Sequence, residues 1–93
     1  MKRSVDNAGK PVCFELVTEP GSEVCVAGTF NNWDPRANPM KDNPHSGHYK
    51  AKLRLQPGRY EYKFVVNGAW CADPKCPDFV PNDTGTLNSV LAV

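Results

Sequence analysis

Apolar and polar residues alternate along much of the chain, and this period of two is typical of β-strands with one buried face. In residues 49–55 the odd positions are apolar, and the even positions are Lys50, Lys52 and Arg54. In residues 59–66 the even positions are apolar, and the opposite face carries Glu61 and Lys63. Because residues 56–58 (Gln-Pro-Gly) form a tight-turn sequence, we predict that these two strands pair as a hairpin.

Shorter apolar runs predict further strands, each bounded by turn-forming residues. We expect strands over residues 12–18, 23–28 and 69–71, and a closing strand over residues 89–93 with Leu87 as an alternative start. Asn67-Gly68, just before the third of these, is a strong two-residue hairpin signal. The stretches 31–46 and 73–85 are predicted to be loops, and helical periodicity is lacking throughout.

These elements predict an all-β fold, an immunoglobulin-like β-sandwich of six to eight antiparallel strands. A true immunoglobulin core disulfide is not expected, because neither Cys71 nor Cys76 has a tyrosine two residues before it. The 93 residues leave room for one domain. We assign residues 1–11 to a flexible N-terminal segment and residues 12–93 to the folded module.

The charge pattern argues against two classes of partner. The formal net charge is +1, and acidic and basic residues are mixed. Nucleic-acid binders and membrane-surface proteins usually concentrate basic residues on one stripe or helix, so neither partner is expected. We interpret Lys50, Lys52 and Arg54 as a solvated outer face. Without an apolar run of membrane-spanning length or a secretion signal, the chain is predicted to be cytoplasmic or plastid-stromal, or to be a module of a longer protein.

The four cysteines could bind zinc, form a disulfide or pack as apolar residues. Only Cys71 and Cys76 have a spacing found in zinc knuckles, and no histidine pair accompanies them, so no metal or other cofactor is predicted. Cys13 and Cys25 lie in strand-like runs and are interpreted as small, buried or half-buried apolar residues. A disulfide between Cys71 and Cys76 across a turn stays an open alternative.

The sequence does not indicate an enzyme. Its candidate carboxylates lie in contexts such as Trp-Asp-Pro and Ala-Asp-Pro that favour turns; these are Asp34, Asp73, Asp78 and Asp83. His45 and His48 flank Ser46-Gly47 without a partner motif. We therefore predict a non-catalytic protein.

Two tryptophans, Trp33 and Trp70, lie in or beside predicted turns rather than at the centres of strands. An indole can stack on the apolar C–H face of a sugar ring while nearby polar groups bind the hydroxyls. Packing as a lid on the core is the alternative for each tryptophan. Neighbouring asparagines favour the sugar-binding hypothesis.

Three separated runs resemble the family-48 carbohydrate-binding modules. They are VCVAGTFNNW at 24–33, PGRYEYKFVVNGAW at 57–70 and DTGTLNSVLAV at 83–93. The family includes the glycogen-binding domain type of the AMP-activated protein kinase β-subunit, as well as modules that precede the catalytic barrel of branching and debranching enzymes. The resemblance covers about residues 12–93 in a consistent order. It implies an α-1,4-glucan ligand, polysaccharide or oligosaccharide, and a catalytic or kinase partner.

The resemblance also implies roles for single residues. Trp33 and Trp70 would stack on glucose units, and Lys63 and Asn88 would hydrogen-bond hydroxyls, with Thr86 beside Asn88. Strand parity agrees for Lys63, which points away from Tyr62 and Phe64 toward the solvent-facing side.

Two features depart from the family pattern. Thr84 stands where kinase-type modules insert a leucine against the glucan. Its smaller apolar area predicts that the binding free energy for the glucan is weaker by on the order of 1 kcal/mol. The loop 34–46, with Pro35, Pro39 and Pro44, is expected to reshape one edge of the site. The alternative function is a protein-docking module with weak or no sugar binding, which predicts an exposed apolar patch.

Overall fold

The computed structural model describes residues 9–42 and 46–93. The regular structure of these residues is almost entirely strand, as predicted. The strands are β1 (Lys10–Val17), β2 (Val24–Gly28), β3 (Pro39–Asp42), β4 (His48–Leu55), β5 (Arg59–Val66), β6 (Ala69–Cys71), β7 (Phe79–Pro81) and β8 (Leu87–Ala92), and a 3-10 turn, Thr29–Asn31, follows β2. Most of the predicted N-terminal segment 1–11 lies outside the described residues, as do Pro44 and His45, while Lys10 and Pro11 belong to β1.

The strands pair antiparallel in the order β1-β4-β3-β2-β5-β8-β7, and β6 pairs with β5 off this path. Strand β3 joins two halves of the sheet, because Met40 pairs with Val24 of β2 while Lys41 pairs with Lys50 of β4. The sheet curls around a shared core, so that the rings of Phe14 in β1 and Tyr62 in β5 lie 5.0 Å apart across it. The prediction of an all-β, antiparallel, sandwich-like fold is confirmed.

The core follows the predicted alternation. Its buried residues come from both halves of the sheet and are Phe14, Leu16, Val24, Val26, Met40, Tyr49, Leu55, Tyr62 and Phe64. On β4, the even positions Lys50, Lys52 and Arg54 are exposed, as the solvated-face interpretation predicted.

The predicted hairpin between β4 and β5 is wrong. Strand β4 pairs with β1 and β3, whereas β5 pairs with β2, β6 and β8. The turn at Gly58 carries the chain from one half of the sheet to the other. Gly58 exchanges two backbone hydrogen bonds with Val93, at 3.0 and 2.9 Å, so the turn pairs with the end of the described chain.

Two further expectations are corrected, and one open alternative, a disulfide between Cys71 and Cys76, does not hold. Each predicted loop contains a short strand. Strand β3 begins at Pro39, and strand β7 ends at Pro81. Cys13 is exposed rather than buried, because it pairs with Lys52 and shares its outward face. The four cysteines are free thiols, so Cys71 and Cys76 form no disulfide here. Within the described residues, no helix is long and apolar enough to cross a membrane.

Candidate functional site

The turn after β2 positions Trp33. Phe30 packs its ring 5.5 Å from that of Phe14, which anchors the turn in the core. Asn31 then fastens the turn to the strand it leaves, because its Nδ2 donates to the Val26 carbonyl at 3.1 Å. The following residues, up to Trp33, are therefore held at the end of β2.

Trp33 has a strained backbone. Asn32 and Trp33 have φ values of 58° and 57°, in the left-handed region that few non-glycine residues occupy. The Trp33 N–H donates to the Gly28 carbonyl at 2.8 Å, which stabilises this conformation. Backbone strain of this kind is typical of functional positions, where surrounding contacts hold it in place.

A hairpin positions Trp70. Asn67 and Gly68 both have positive φ, 50° and 86°, as a type I′ turn between β5 and β6 requires, and the prediction for this turn is confirmed. Trp70 lies opposite Val65 in the register. The turn is tied to the start of β2, because Asn67 both accepts from and donates to the backbone of Glu23, at 2.9 and 2.8 Å.

The two indoles form one angled platform. Their ring centroids are 6.4 Å apart and their planes meet at 46°. Trp70 is 44% exposed and Trp33 is half-buried. Neither tryptophan is a buried lid on the core, and both present ring surface to the same side of the module.

Lys63 lies beneath this surface. It projects from β5 on the face opposite Tyr62 and Phe64, as predicted, but only 8% of the residue is exposed. Its Nζ donates to Thr86 Oγ1 at 2.6 Å. Within the described residues no carboxylate forms an ion pair with it. The side of the sheet was therefore predicted correctly, whereas the expected solvent exposure was not.

Asn88 is held in a polar network and is 6% exposed. Its Oδ1 accepts from Asn82 Nδ2 at 2.8 Å, and its Nδ2 donates to Glu61 Oε1 at 3.0 Å. The Asn82 Oδ1 in turn accepts from the backbone N–H groups of Thr84 and Thr86 at 3.0 and 3.1 Å. Asn82 is thus the centre of a turn that places both threonines.

All six residues predicted for the site line one open cleft of about 680 Å³, which we call the tryptophan cleft. Its lining consists of Trp33, Lys63, Trp70, Thr84, Thr86 and Asn88, together with Thr29, Glu61, Pro81, Asn82 and Asp83. Sequence reasoning missed Asn82 and Glu61. The parity of β5 already placed Glu61 on the face of Lys63, and Asn82 stands in a turn-forming sequence after a proline.

Two of the four carboxylates considered in the sequence, Asp34 and Asp73, stabilise turns. Asp34 Oδ1 and Asp73 Oδ1 each accept from the backbone N–H two residues later, both at 2.9 Å, as turn-forming aspartates do. Over residues 9–42 and 46–93, no group of three or more His, Cys, Asp or Glu could hold a metal ion.

An angled aromatic platform flanked by amide, hydroxyl and ammonium groups is suited to binding carbohydrate. Comparison with known proteins defines the class more closely. Residues 11–93 match the family described as the glycogen recognition site of AMP-activated protein kinase, and the chain belongs to this family of carbohydrate-binding modules.

Relatives agree with this assignment. The chain is 37% identical over 97 residues to the chloroplastic protein FLOURY ENDOSPERM 6 of Oryza sativa subsp. japonica, covering 99% of this chain and 18% of that protein. It is 37% identical over 76 residues to the human 5'-AMP-activated protein kinase subunit beta-2, covering 82% and 26%. It is 37% identical over 84 residues to the Sus scrofa subunit beta-1, covering 90% and 64%. The chain thus spans between about a fifth and two thirds of these relatives.

Proposed function

We propose that this module binds α-1,4-linked glucans such as glycogen, starch and maltooligosaccharides, and that it has no catalytic activity of its own. One observation carries the proposal: two exposed or half-exposed indoles and four polar residues converge on the tryptophan cleft. The family assignment supports the same ligand class.

The angle between the indoles favours a curved chain over a flat one. Successive glucose units of an α-1,4 chain turn relative to one another, so two platforms inclined at 46° can each face one unit. The apolar C–H face of each ring would cover an indole and displace water from it. A flat, β-linked chain would meet one platform and tilt away from the other.

Polar groups beneath the platforms would hold the hydroxyls. The Lys63 ammonium can donate three hydrogen bonds and uses one for Thr86. Asn88, Thr84 and Thr86 supply amide and hydroxyl groups on the same wall. Because Asn82 fixes these groups before a ligand arrives, little conformational entropy should be lost on binding.

A titration followed by amide chemical shifts tests the proposal. β-Cyclodextrin and maltoheptaose should shift amides around Trp33, Lys63, Trp70 and Asn88, and cellohexaose should not. Trp70→Ala should weaken binding by about tenfold or more, because it removes a platform of aromatic area. Phe79→Ala is the matched control, since Phe79 is similarly exposed (40%) but lies on β7 and does not line the cleft.

Failure of the titration would favour the second candidate, a docking module for a kinase partner subunit. Two observations support that candidate. The relatives include kinase β-subunits, and Phe79 and Leu87 are 40% and 48% exposed. The strand register places both on the face of β7 and β8 opposite to Asn88, beside Pro81, which also lines the tryptophan cleft. No shift with any α-glucan in a folded protein would therefore replace sugar binding with docking as the proposed function.

We propose the cytoplasm or the plastid stroma as the compartment. The support is the mixture of relatives, which includes kinase subunits and one protein named as chloroplastic.

A further inference from the structure

A second cleft, of about 700 Å³, adjoins the tryptophan cleft at Trp70, which lines both. We call it the proline cleft, because Pro35 and Pro39 form part of its wall together with Arg36. These residues belong to the loop 34–46, whose prolines predict a reshaped edge of the site. The volume lies within the range of about 300–1,000 Å³ that is usual for small-ligand sites.

The floor of the proline cleft continues directly from the Trp70 indole. Cys25 of β2, Val65 of β5 and Trp70 of β6 lie opposite one another in adjacent strands, so they form one row across the sheet. Neighbouring strands are about 4.8 Å apart, so the row extends roughly 10 Å from the indole. The row therefore leads from the exposed Trp70 indole across Val65, which is 5% exposed, to the half-buried Cys25.

Cys25 serves this floor as an apolar group. Burial, and after it the nearby carboxylates of Glu23 and Asp34, raise the pKa of the Cys25 thiol. A thiol that stays protonated is a poor nucleophile and a poor metal ligand. Cys25 therefore contributes an apolar contact to the proline cleft.

The rim supplies the polar groups that a sugar needs. Arg36 is exposed, and in the part of the chain that the structure describes its guanidinium has no hydrogen-bond or ion-pair partner. A guanidinium carries five N–H donors in a fixed plane, which suits neighbouring hydroxyls on one ring. Ser22 and Glu23 add a hydroxyl and a carboxylate to the same rim.

We infer that the proline cleft binds further glucose units of the same glucan chain, beyond those on Trp33 and Trp70. The module then prefers long α-glucans to short ones, and Arg36 determines this preference. The inference rests on the proposed function, because it requires a glucan to occupy the tryptophan cleft first.

Calorimetric titration with maltotriose and with maltodecaose tests the inference. The wild-type protein should bind maltodecaose more tightly, and Arg36→Ala should weaken maltodecaose binding about threefold to tenfold while leaving maltotriose unchanged. Arg54→Ala is the matched control, since Arg54 is an exposed arginine that lines neither cleft. Amide shifts at Cys25, Val65 and Gly68 should appear with maltodecaose only.

Other results overturn the inference in distinguishable ways. If affinity does not rise with chain length, or if Arg36→Ala weakens both sugars equally, the proline cleft is not an extension of the site and the proposed function stands. If neither sugar binds the wild-type protein, the proposed function itself is wrong, and the inference falls with it.

Discussion

Only 8% of Lys63 is exposed, and no carboxylate among the described residues forms an ion pair with it. Burying an unpaired charge opposes folding, so its retention requires a benefit elsewhere. If that benefit is sugar binding, Lys63→Met should separate binding from stability. Methionine keeps an unbranched apolar stem of similar length and removes only the ammonium.

The structure sets the expected size of the change in affinity and of the change in stability. Hydrogen bonds from a charged donor contribute about 1.5–3 kcal/mol, so loss of the ammonium should weaken maltoheptaose binding roughly tenfold to hundredfold. Stability should change by less than about 1 kcal/mol in either direction, because the desolvated charge disappears together with one hydrogen bond. The Thr86 hydroxyl keeps a partner, since Asn82 Nδ2 donates to it at 2.7 Å.

Two measurements on each variant give the answer: calorimetric affinity for maltoheptaose, and the free energy of unfolding from urea denaturation. Lys52→Met is the matched control, because Lys52 is exposed on β4 and lines neither cleft. It should change neither quantity appreciably.

The reasoning would be refuted by either of two results. Unchanged affinity in Lys63→Met would show that the ammonium does not contact the sugar. A loss of stability above about 2 kcal/mol would show that the lysine supports the fold, and the affinity loss would then need another explanation.

Three further predictions concern stability and ionisation. Tyr62→Phe should lower the free energy of unfolding by about 2 kcal/mol in urea denaturation, because the buried phenol donates a hydrogen bond to Asp73 Oδ2 at 2.6 Å. Burial, and then Asp73, raise the pKa of Tyr62, so the phenol stays protonated and remains the donor. Gly28→Ala should cost about 1–3 kcal/mol in the same assay, because its Cβ would collide with the backbone carbonyl of the neighbouring strand. His48→Ala should raise the pKa of Glu15 toward its usual value in an NMR pH titration, because the His48 hydrogen bond is the main cause of its lowering.

Each of these three has an outcome that contradicts it. A Tyr62→Phe variant as stable as the wild type would mean that water replaces the phenol at Asp73 without cost. Full stability of Gly28→Ala would show that β2 and β5 can separate locally. Because the pKa of Glu15 is lower in the folded protein than in the unfolded chain, its contribution to stability should be present above its usual pKa. That contribution should be lost as the pH falls through the lowered pKa of the folded protein. A Glu15 pKa that does not respond to His48→Ala would exclude that hydrogen bond as its cause.

Local alternation predicted the strands well because each strand has one face on the core. It placed Tyr49 and Leu55 of β4 and Tyr62 and Phe64 of β5 inside, and the lysines of β4 outside, as the structure shows. It could not decide which strands pair. Residues 56–58 suit a hairpin turn, but the choice of partner depends on the whole core, and β4 and β5 fall in different halves of the sheet.

The short strands escaped prediction for a related reason. Strands β3 and β7 have four and three residues, too few for a period to show, and each includes a proline that normally marks a turn or an edge. In the candidate site, indoles and lysine carried a recognisable signal. Asn82 carried none beyond turn formation, because its importance lies in hydrogen bonds to residues that only the fold brings together.

The hairpin that carries Trp70 also has an evolutionary consequence. Strand β6 is three residues long and pairs only with β5 among the described strands, so the core does not constrain its register. Because side chains alternate along a strand, inserting or deleting a single codon in the Asn67-Gly68 turn would rotate the indole to the opposite face and bring Ala69 or Cys71 into its place. Lineages of this module could thus lose one of the two indoles from the tryptophan cleft in a single mutational step while every core residue stays unchanged.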